Sequence, residues 1–388
     1  MGRKNGVTLG ACLATEQEMK TNLYCVFRPV TELALALAIF CTLATSLRAS
    51  EVSTPASSSV SAVASAPVSE VKTLLVTWRD TVRERDVPVK IYYPAAPASG
   101  SAATCPVIVF SHGLGGSREG YAYLGEHWAA RGYVSVHVQH AGSDDAVWRD
   151  EKRKLGALRA LRGAASDPAV INARPLDVRF VIDRLTSLST DEGFALHGRL
   201  DLARVGVAGH SFGAFTTMAV AGRAYSQDGA AVARWADPRV KAAIAMSTPV
   251  PTRRGKEPSG EGYEAVRIPV FHFTGTEDTD PAGGATDPAQ RRIPYDHTIA
   301  APAWLLTLDG GDHMVFGGPM QGDGRGERLK AKRSDRSRDP EFHALIQKAT
   351  TAFWDAQLKG DDKARAWLDD GGLAAEAAGL AKLERKAP

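Results

Sequence analysis

The sequence predicts an α/β fold, a mostly parallel central sheet with helices on both faces. Three observations carry this. Short apolar runs recur at 107–110, 134–138, 205–208, 240–246, 270–273 and 304–308, continuous in the manner of strands buried on both sides. Segments of helical spacing stand between several of them, as crossover connections require. The composition, 44% hydrophobic and 23% charged, is that of a chain with a well-filled core.

In chain order, residues 1–49 read as an export signal. Lys20 and Arg28 precede the apolar run LALALAIFCTL (33–43), and small residues follow to Ala49. The run is short for a membrane span. The expectation is an exported protein, periplasmic or secreted, with an uncleaved anchor as the alternative; Met19-Lys20 is a more natural start for such a signal. Residues 50–69 are mostly Ser, Ala, Val and Pro, a flexible linker. About 320 residues remain, enough for one large α/β domain. That catalytic domain is expected at 70–359.

It opens with a hairpin, 72–78 and 87–93, flanking the charged segment 79–85 and closed by Pro94 and Pro97. The strand at 107–110 leads to a helix over 121–131, ended by Gly132, and to the strand at 134–138. A polar stretch, 142–167, comes next; the sequence leaves open whether it and the basic loop 324–338 border the pocket. A helix over 174–188 offers Leu176, Phe180, Ile182 and Leu185 to the core. The strand at 205–208 runs into a helix of small residues over 212–221. After the last three strands, a helix over 342–358 brings Leu345, Ile346, Ala349, Phe353 and Trp354. Residues 360–388 read as a charged, Ala-rich tail outside the domain.

Several function classes fall away. A net charge of +3 is too mild for a nucleic-acid binder. Of four cysteines only Cys105 lies beyond residue 41, so the mature domain is expected to lack an internal disulfide and to bury this thiol. No Cys/His cluster has zinc spacing, and no metal or other cofactor is expected. The basic loop 324–338 suggests at most weak attraction to anionic surfaces. Oligomeric state is not legible.

The chemistry lies in Gly209-His210-Ser211-Phe212-Gly213. A G-x-S-x-G match alone is weak, but here an apolar strand precedes it and a small-residue helix follows. A sharp strand-to-helix turn strains the serine into exposure, and the glycines permit close approach of neighbouring elements. A serine hydroxyl needs a base, and in this arrangement acid and histidine follow the serine in chain order. His313, in the glycine-bearing loop after the strand at 304–308, is the candidate base; His297 and His343 are read as structural. Asp278, after Thr274-Gly275-Thr276 at the end of the preceding strand, is the candidate acid, with Asp280 as the alternative. Two backbone N–H donors are needed for an oxyanion: Phe212, after the nucleophile, and Leu114, in the loop Ser111-His112-Gly113-Leu114-Gly115-Gly116. No G-K-[ST] follows that loop, so it is not a phosphate cradle.

From about Trp78 to Trp354 the sequence resembles bacterial α/β-hydrolases of the platelet-activating-factor acetylhydrolase and dienelactone-hydrolase-like group, relatives of polyester-degrading cutinases. Residues 110–115, 209–213 and 312–316 carry the resemblance. It implies the α/β-hydrolase fold and a cofactor-free serine carboxylesterase with oxyanion donors at Leu114 and Phe212. The sequence departs from that group twice. Ser211 stands where dienelactone hydrolases carry cysteine. Ser247 stands where acetylhydrolases of the plasma type carry their acid, which moves that role to Asp278.

The expected function is hydrolysis of a short-chain or lipid-derived carboxylic ester through an acyl-serine intermediate. The alternatives are an amidase or peptidase with the same triad, or a non-catalytic binding protein on the same fold.

Overall fold

The computed structural model describes residues 69–96, 104–227, 230–250, 259–279, 287–318 and 336–388. The expected signal and linker lie outside them, except Ser69, as do Asp280 and all but the last three residues of the basic loop. Strands β1 (Val71–Asp80) and β2 (Arg85–Pro94) pair antiparallel, as the sequence predicts. Asp80 closes their turn: its carboxylate accepts from the N–H groups of Val82 and Arg83 and from the Arg83 side chain. The chain continues as β3 (Cys105–Ser111), α1 (Ala122–Ala129), β4 (Val134–Val138), α2 (Ala146–Arg149), α3 (Lys154–Ser166) and α4 (Pro168–Leu188). Then come β5 (Leu200–His210), α5 (Phe212–Val220), the small hairpin β6 (Tyr225–Gln227) and β7 (Ala230–Val232), β8 (Val240–Met246) and β9 (Val270–Glu277). The last elements are α6 (Ile293–His297), β10 (Ala303–Asp312), α7 (Asp339–Trp354), α8 (Asp362–Asp369), α9 (Gly372–Glu376) and β11 (Ala381–Lys386).

Nine strands make one sheet in the order β1-β2-β4-β3-β5-β8-β9-β10-β11. The six from β4 to β10 are parallel to one another, while β1, β2 and β11 run antiparallel to their neighbours. Alternation along each strand divides the core in two. Ile108, Phe110, Ile244, Phe271, Phe273, Leu306 and Leu308 face the layer of α1 and α7, where Trp128 meets Trp354 edge to face. Val107, Val109, Val205, Val207, Ala243 and Val270 face α4 and α5. Cys105 is a buried free thiol at the start of β3. This is the α/β-hydrolase architecture. From β3 the chain crosses to β4 on one side, and from β4 to β5 on the other. The crevice that this reversal opens, at the carboxyl ends of β3 and β5, is where open α/β sheets bind ligands.

Three expectations need correction. The helix expected at 174–188 begins at Pro168, because Asp167 caps it by accepting from Ala169 N–H and proline suits the first turn. Its buried face carries Arg174, Asp177, Val178, Val181, Ile182 and Leu185, while Leu176 and Phe180 are only partly covered. The polar stretch 142–167 is mostly helical, as α2 and α3.

The third correction concerns residues 360–388, which are part of the domain and not a tail. Asp361 caps α8 through the N–H groups of Lys363 and Ala364. Ala364, Leu368, Leu373 and Ala377 are buried in the α7-side core. β11 then pairs with β10 over six residues, from Ala303↔Lys386 to Leu308↔Ala381. An apolar parallel strand such as β10 needs its free edge covered, and the C-terminal segment covers it.

Leu373→Ala should therefore cost about 2–5 kcal/mol, the range for a buried leucine. It would appear as a lower urea midpoint at unchanged slope. A wild-type midpoint would mean that the segment adds nothing to the fold.

Candidate active site

The sharpest local constraint is the turn from β5 into α5. Ser211 sits there at φ 55, ψ −120, a region costly for any residue with a side chain. Gly209 and Gly213 make it possible. A Cβ on Gly213 would stand 1.9 Å from the Ser111 carbonyl oxygen, and one on Gly209 would stand 2.4 Å from the Gly213 carbonyl oxygen. With glycine at both places, α5 starts directly against the end of β3.

The structure brings Ser211, His313 and Asp278 together. Ser211 Oγ is 2.9 Å from His313 Nε2, and His313 Nδ1 is 2.8 Å from Asp278 Oδ1. An ionised carboxylate only accepts, so Nδ1 carries the proton and Nε2 faces the serine hydroxyl with its lone pair. Asp278 is fully buried. Burial pushes its carboxyl up, but the hydrogen bond from His313, the Arg291 guanidinium 3.4 Å away and the Ser247 hydroxyl outweigh this and hold it at about 2. Its second oxygen accepts from Thr274 Oγ1 at 3.0 Å.

His313 does not follow a strand that stops at Leu308. β10 continues to Asp312 through an irregularity between Leu308 and Asp312, with Gly310 at φ 77. The base loop is then held by Asp312 accepting from Met314 N–H, by Tyr123 donating to the Phe316 carbonyl, and by His343 donating to the Val315 carbonyl.

Both expected oxyanion donors lie beside the serine. Phe212 is the first residue of α5, so its N–H has no partner within the helix. Among the described residues neither it nor Leu114 N–H has an acceptor. A Cβ on Gly113, which precedes Leu114, would come within 3.4 Å of Ser211 Cβ. The 142–167 segment braces this loop: Gly115 N–H donates to Ser143 O, Asp145 N–H to Gly116 O, and Trp148 Nε1–H to Gly115 O.

Four functional supports escaped the sequence reading. Ser247, with left-handed backbone at φ 50, donates to Asp278 Oδ1 at 2.8 Å and lies 2.7 Å from His313 Nδ1, sharing that proton with the carboxylate. Arg291 braces the acid from the other side. Arg174 is fully buried and joins the two sides of the oxyanion site, donating to the His112 carbonyl, Ser143 Oγ and Thr216 Oγ1 while its guanidinium lies 4.5 Å from the Phe212 ring. Below it, His140 bridges Ser111 and Asp177, and Arg83 and Arg85 pair with Asp177. His210 is the fourth. Nothing in the local pattern marks Arg174, Arg291 or His210 for these places, and Ser247 stands out only as the residue found where plasma-type acetylhydrolases carry their acid.

Among the described residues no group of three His, Cys, Asp or Glu side chains is disposed to hold a metal ion, and no helix is long and apolar enough to cross a membrane.

The family model of platelet-activating factor acetylhydrolase, isoform II, matches residues 66–155. That stretch spans β1 to β4 and includes the whole oxyanion loop. Over that stretch the chain is similar to this acetylhydrolase family, and its sheet has the α/β-hydrolase topology. The match ends before Ser211, so the grouping of Ser211, His313 and Asp278 rests on geometry and motif alone. No curated protein sequence matches the chain.

The chain also buries His112, His137, His140, His210 and His272. Burial pushes all five well below the usual histidine range, His137 and His272 to about 3. Below about pH 6.5 the unfolded chain protonates these rings and the folded one does not, so stability falls as the pH falls. Each ring contributes up to about 1.4 kcal/mol per pH unit. Asp278 does not confound this window, since the stability from its depressed pKa is lost only below about pH 4. The urea midpoint should drop from pH 7.5 to 5.5; a constant midpoint would contradict the neutral burial of these rings.

Proposed function

We propose that this hydrolase is a serine carboxylic-ester hydrolase acting on a short-chain or lipid-derived ester through an acyl-Ser211 intermediate. The observation that carries the reading is the continuous hydrogen-bonded path from Ser211 Oγ through His313 to a buried, ionised Asp278. His313 Nε2 takes the serine proton as Oγ attacks the ester carbonyl, and Asp278 stabilises the imidazolium that results. The N–H groups of Phe212 and Leu114 donate to the carbonyl oxygen as it becomes negative. His313 then gives its proton to the departing alkoxide, which leaves as an alcohol. In the second half a water enters, His313 deprotonates it, and the acyl group is released as a carboxylic acid while Ser211 regains its proton. The match to an acetylhydrolase family supports an ester as substrate. We further propose that the chain is exported, on the apolar run 33–43.

Ser211→Ala should abolish turnover of p-nitrophenyl esters while leaving the melting curve unchanged. A folded Ser211→Ala with wild-type rates would remove the whole reading. Hydrolysis of p-nitrophenyl esters but not of the matching anilides is expected; faster cleavage of anilides would make this an amidase.

Asp278→Asn should lower kcat by on the order of 10⁴, because the amide favours the wrong imidazole tautomer. Asp280→Asn should be near neutral. The reverse order would transfer the acid role to Asp280.

A further inference from the structure

Beneath the triad lies a second imidazole that this chemistry does not use. His210 precedes Ser211 and is 2% exposed. Its Nε2 is 2.9 Å from the His313 carbonyl oxygen, and its Nδ1 is 2.8 Å from Tyr121 Oη. Tyr121 Oη in turn accepts from Gly113 N–H at 3.2 Å. The partners fix the protons on the ring. A carbonyl only accepts, so His210 Nε2 must carry hydrogen. Burial, together with the neighbouring His313, keeps the ring neutral, so Nδ1 offers a lone pair and Tyr121 donates its hydroxyl proton to it. The hydroxyl oxygen is then left to accept from Gly113.

The result is a one-way chain of hydrogen bonds, Gly113 N–H to Tyr121, Tyr121 to His210, His210 to the backbone of His313. One end is the residue before the oxyanion donor Leu114, and the other is the backbone of the base itself. We propose that Tyr121 and His210 are positioning residues, which hold the oxyanion loop and the base loop in one frame on either side of Ser211. The proposal rests on the reading of Ser211 as nucleophile.

Two further features fit a built device. Tyr121 adopts left-handed backbone, φ 63, uncommon for an aromatic residue, and its ring packs against Phe110 at 4.7 Å. A Cβ on Gly113 would come within 3.2 Å of Tyr121 Oη and 3.4 Å of His210 Nδ1, so glycine is what allows this loop to reach the chain. The other buried pair, His112 and His140, differs in kind. It ties the same loop to β4 and α4, through His140 N–H donating to His112 Nε2 and His140 Nδ1–H donating to Asp177. Among the described residues, neither ring is hydrogen-bonded to His313.

The test is steady-state kinetics on p-nitrophenyl acetate with Tyr121→Phe, His210→Leu, the double variant and His210→Gln, each checked by thermal melting. A misplacement of 1 Å at a catalytic group costs up to about a hundredfold. Tyr121→Phe and His210→Leu should each lower kcat in that range with little change in KM. The double variant should be no worse than the poorer single, because both break one chain. His210→Gln, whose amide can donate to the His313 carbonyl and accept from Tyr121, should recover most of the loss.

Wild-type kcat in Tyr121→Phe, or multiplicative losses in the double variant, would overturn the proposal. Should the variants fail to fold, the ¹⁵N shifts of His210 in the wild-type protein decide. A protonated Nε2 with a bare Nδ1 at neutral pH supports it, and the opposite tautomer overturns it. Labelling of wild-type Ser211 by a fluorophosphonate separates the two levels. An unlabelled serine sinks the reading of the site, whereas a labelled serine with indifferent Tyr121 and His210 variants sinks the relay alone.

Discussion

The close contact of α5 with the end of β3 is the constraint from which the rest of the site follows. It exists because Gly209 and Gly213 present no Cβ where backbone carbonyls stand 2.4 and 1.9 Å away. The contact turns Ser211 into strained backbone, leaves the Phe212 N–H unpartnered at a helix start, and draws the Gly113–Gly116 loop alongside the serine. Such strain costs of order 1–3 kcal/mol and persists only where the surroundings over-determine it. Here they do: Ser211 N–H is held by the Met246 carbonyl, and both faces of the sheet are packed tight.

Around that contact the molecule buries two charged groups, Arg174 and Asp278, each partnered toward the site. On the oxyanion side, Arg174 is a fully buried cation whose donors reach the loop, Ser143 and the α5 residue Thr216. On the acid side, Asp278 is surrounded by Ser247, Thr274, His313 and Arg291. Buried charges without partners are costly, but partnered ones fix geometry because each departure leaves a desolvated group unsatisfied. The site is thus stiff from below, which is what the proposed acyl-serine chemistry requires of it.

Much of this was legible in the sequence, for physical reasons. Parallel strands buried on both faces are short continuous apolar runs, and 107–110, 240–246 and 270–273 could be read as such. The turn glycines mark close approach, so Gly209-His210-Ser211-Phe212-Gly213 located the serine, and glycines before Asp278 and His313 located their loops. The illegible parts involve residues whose partners are distant in sequence. Arg174 and Asp177 carry charge on a helix face that should be apolar, and only the fold supplies their counter-groups. Ser247 was noticed for the acid it is not, while its actual place between Asp278 and His313 depends on left-handed backbone that no pattern announces. Residues 360–388 were misread because alanine and charge dominate there. Leu368, Leu373 and Leu383 are too sparse to signal a core, and what makes them one is the waiting edge of β10.

The pairing of β3 with β5 has a kinetic consequence. Ser111 lies opposite Gly209 in that ladder, with α1, β4 and α2 to α4 threaded between them. Closing a connection of about a hundred residues is entropically slow compared with forming any one of its helices, and parallel, non-local sheets accordingly fold late. The serine turn and the oxyanion loop come into register only in that step. Helical structure in a refolding chain would therefore rise well before any hydrolytic competence, and the intervening species would expose the bare apolar edges of β3 and β5, the surfaces most open to association with another chain.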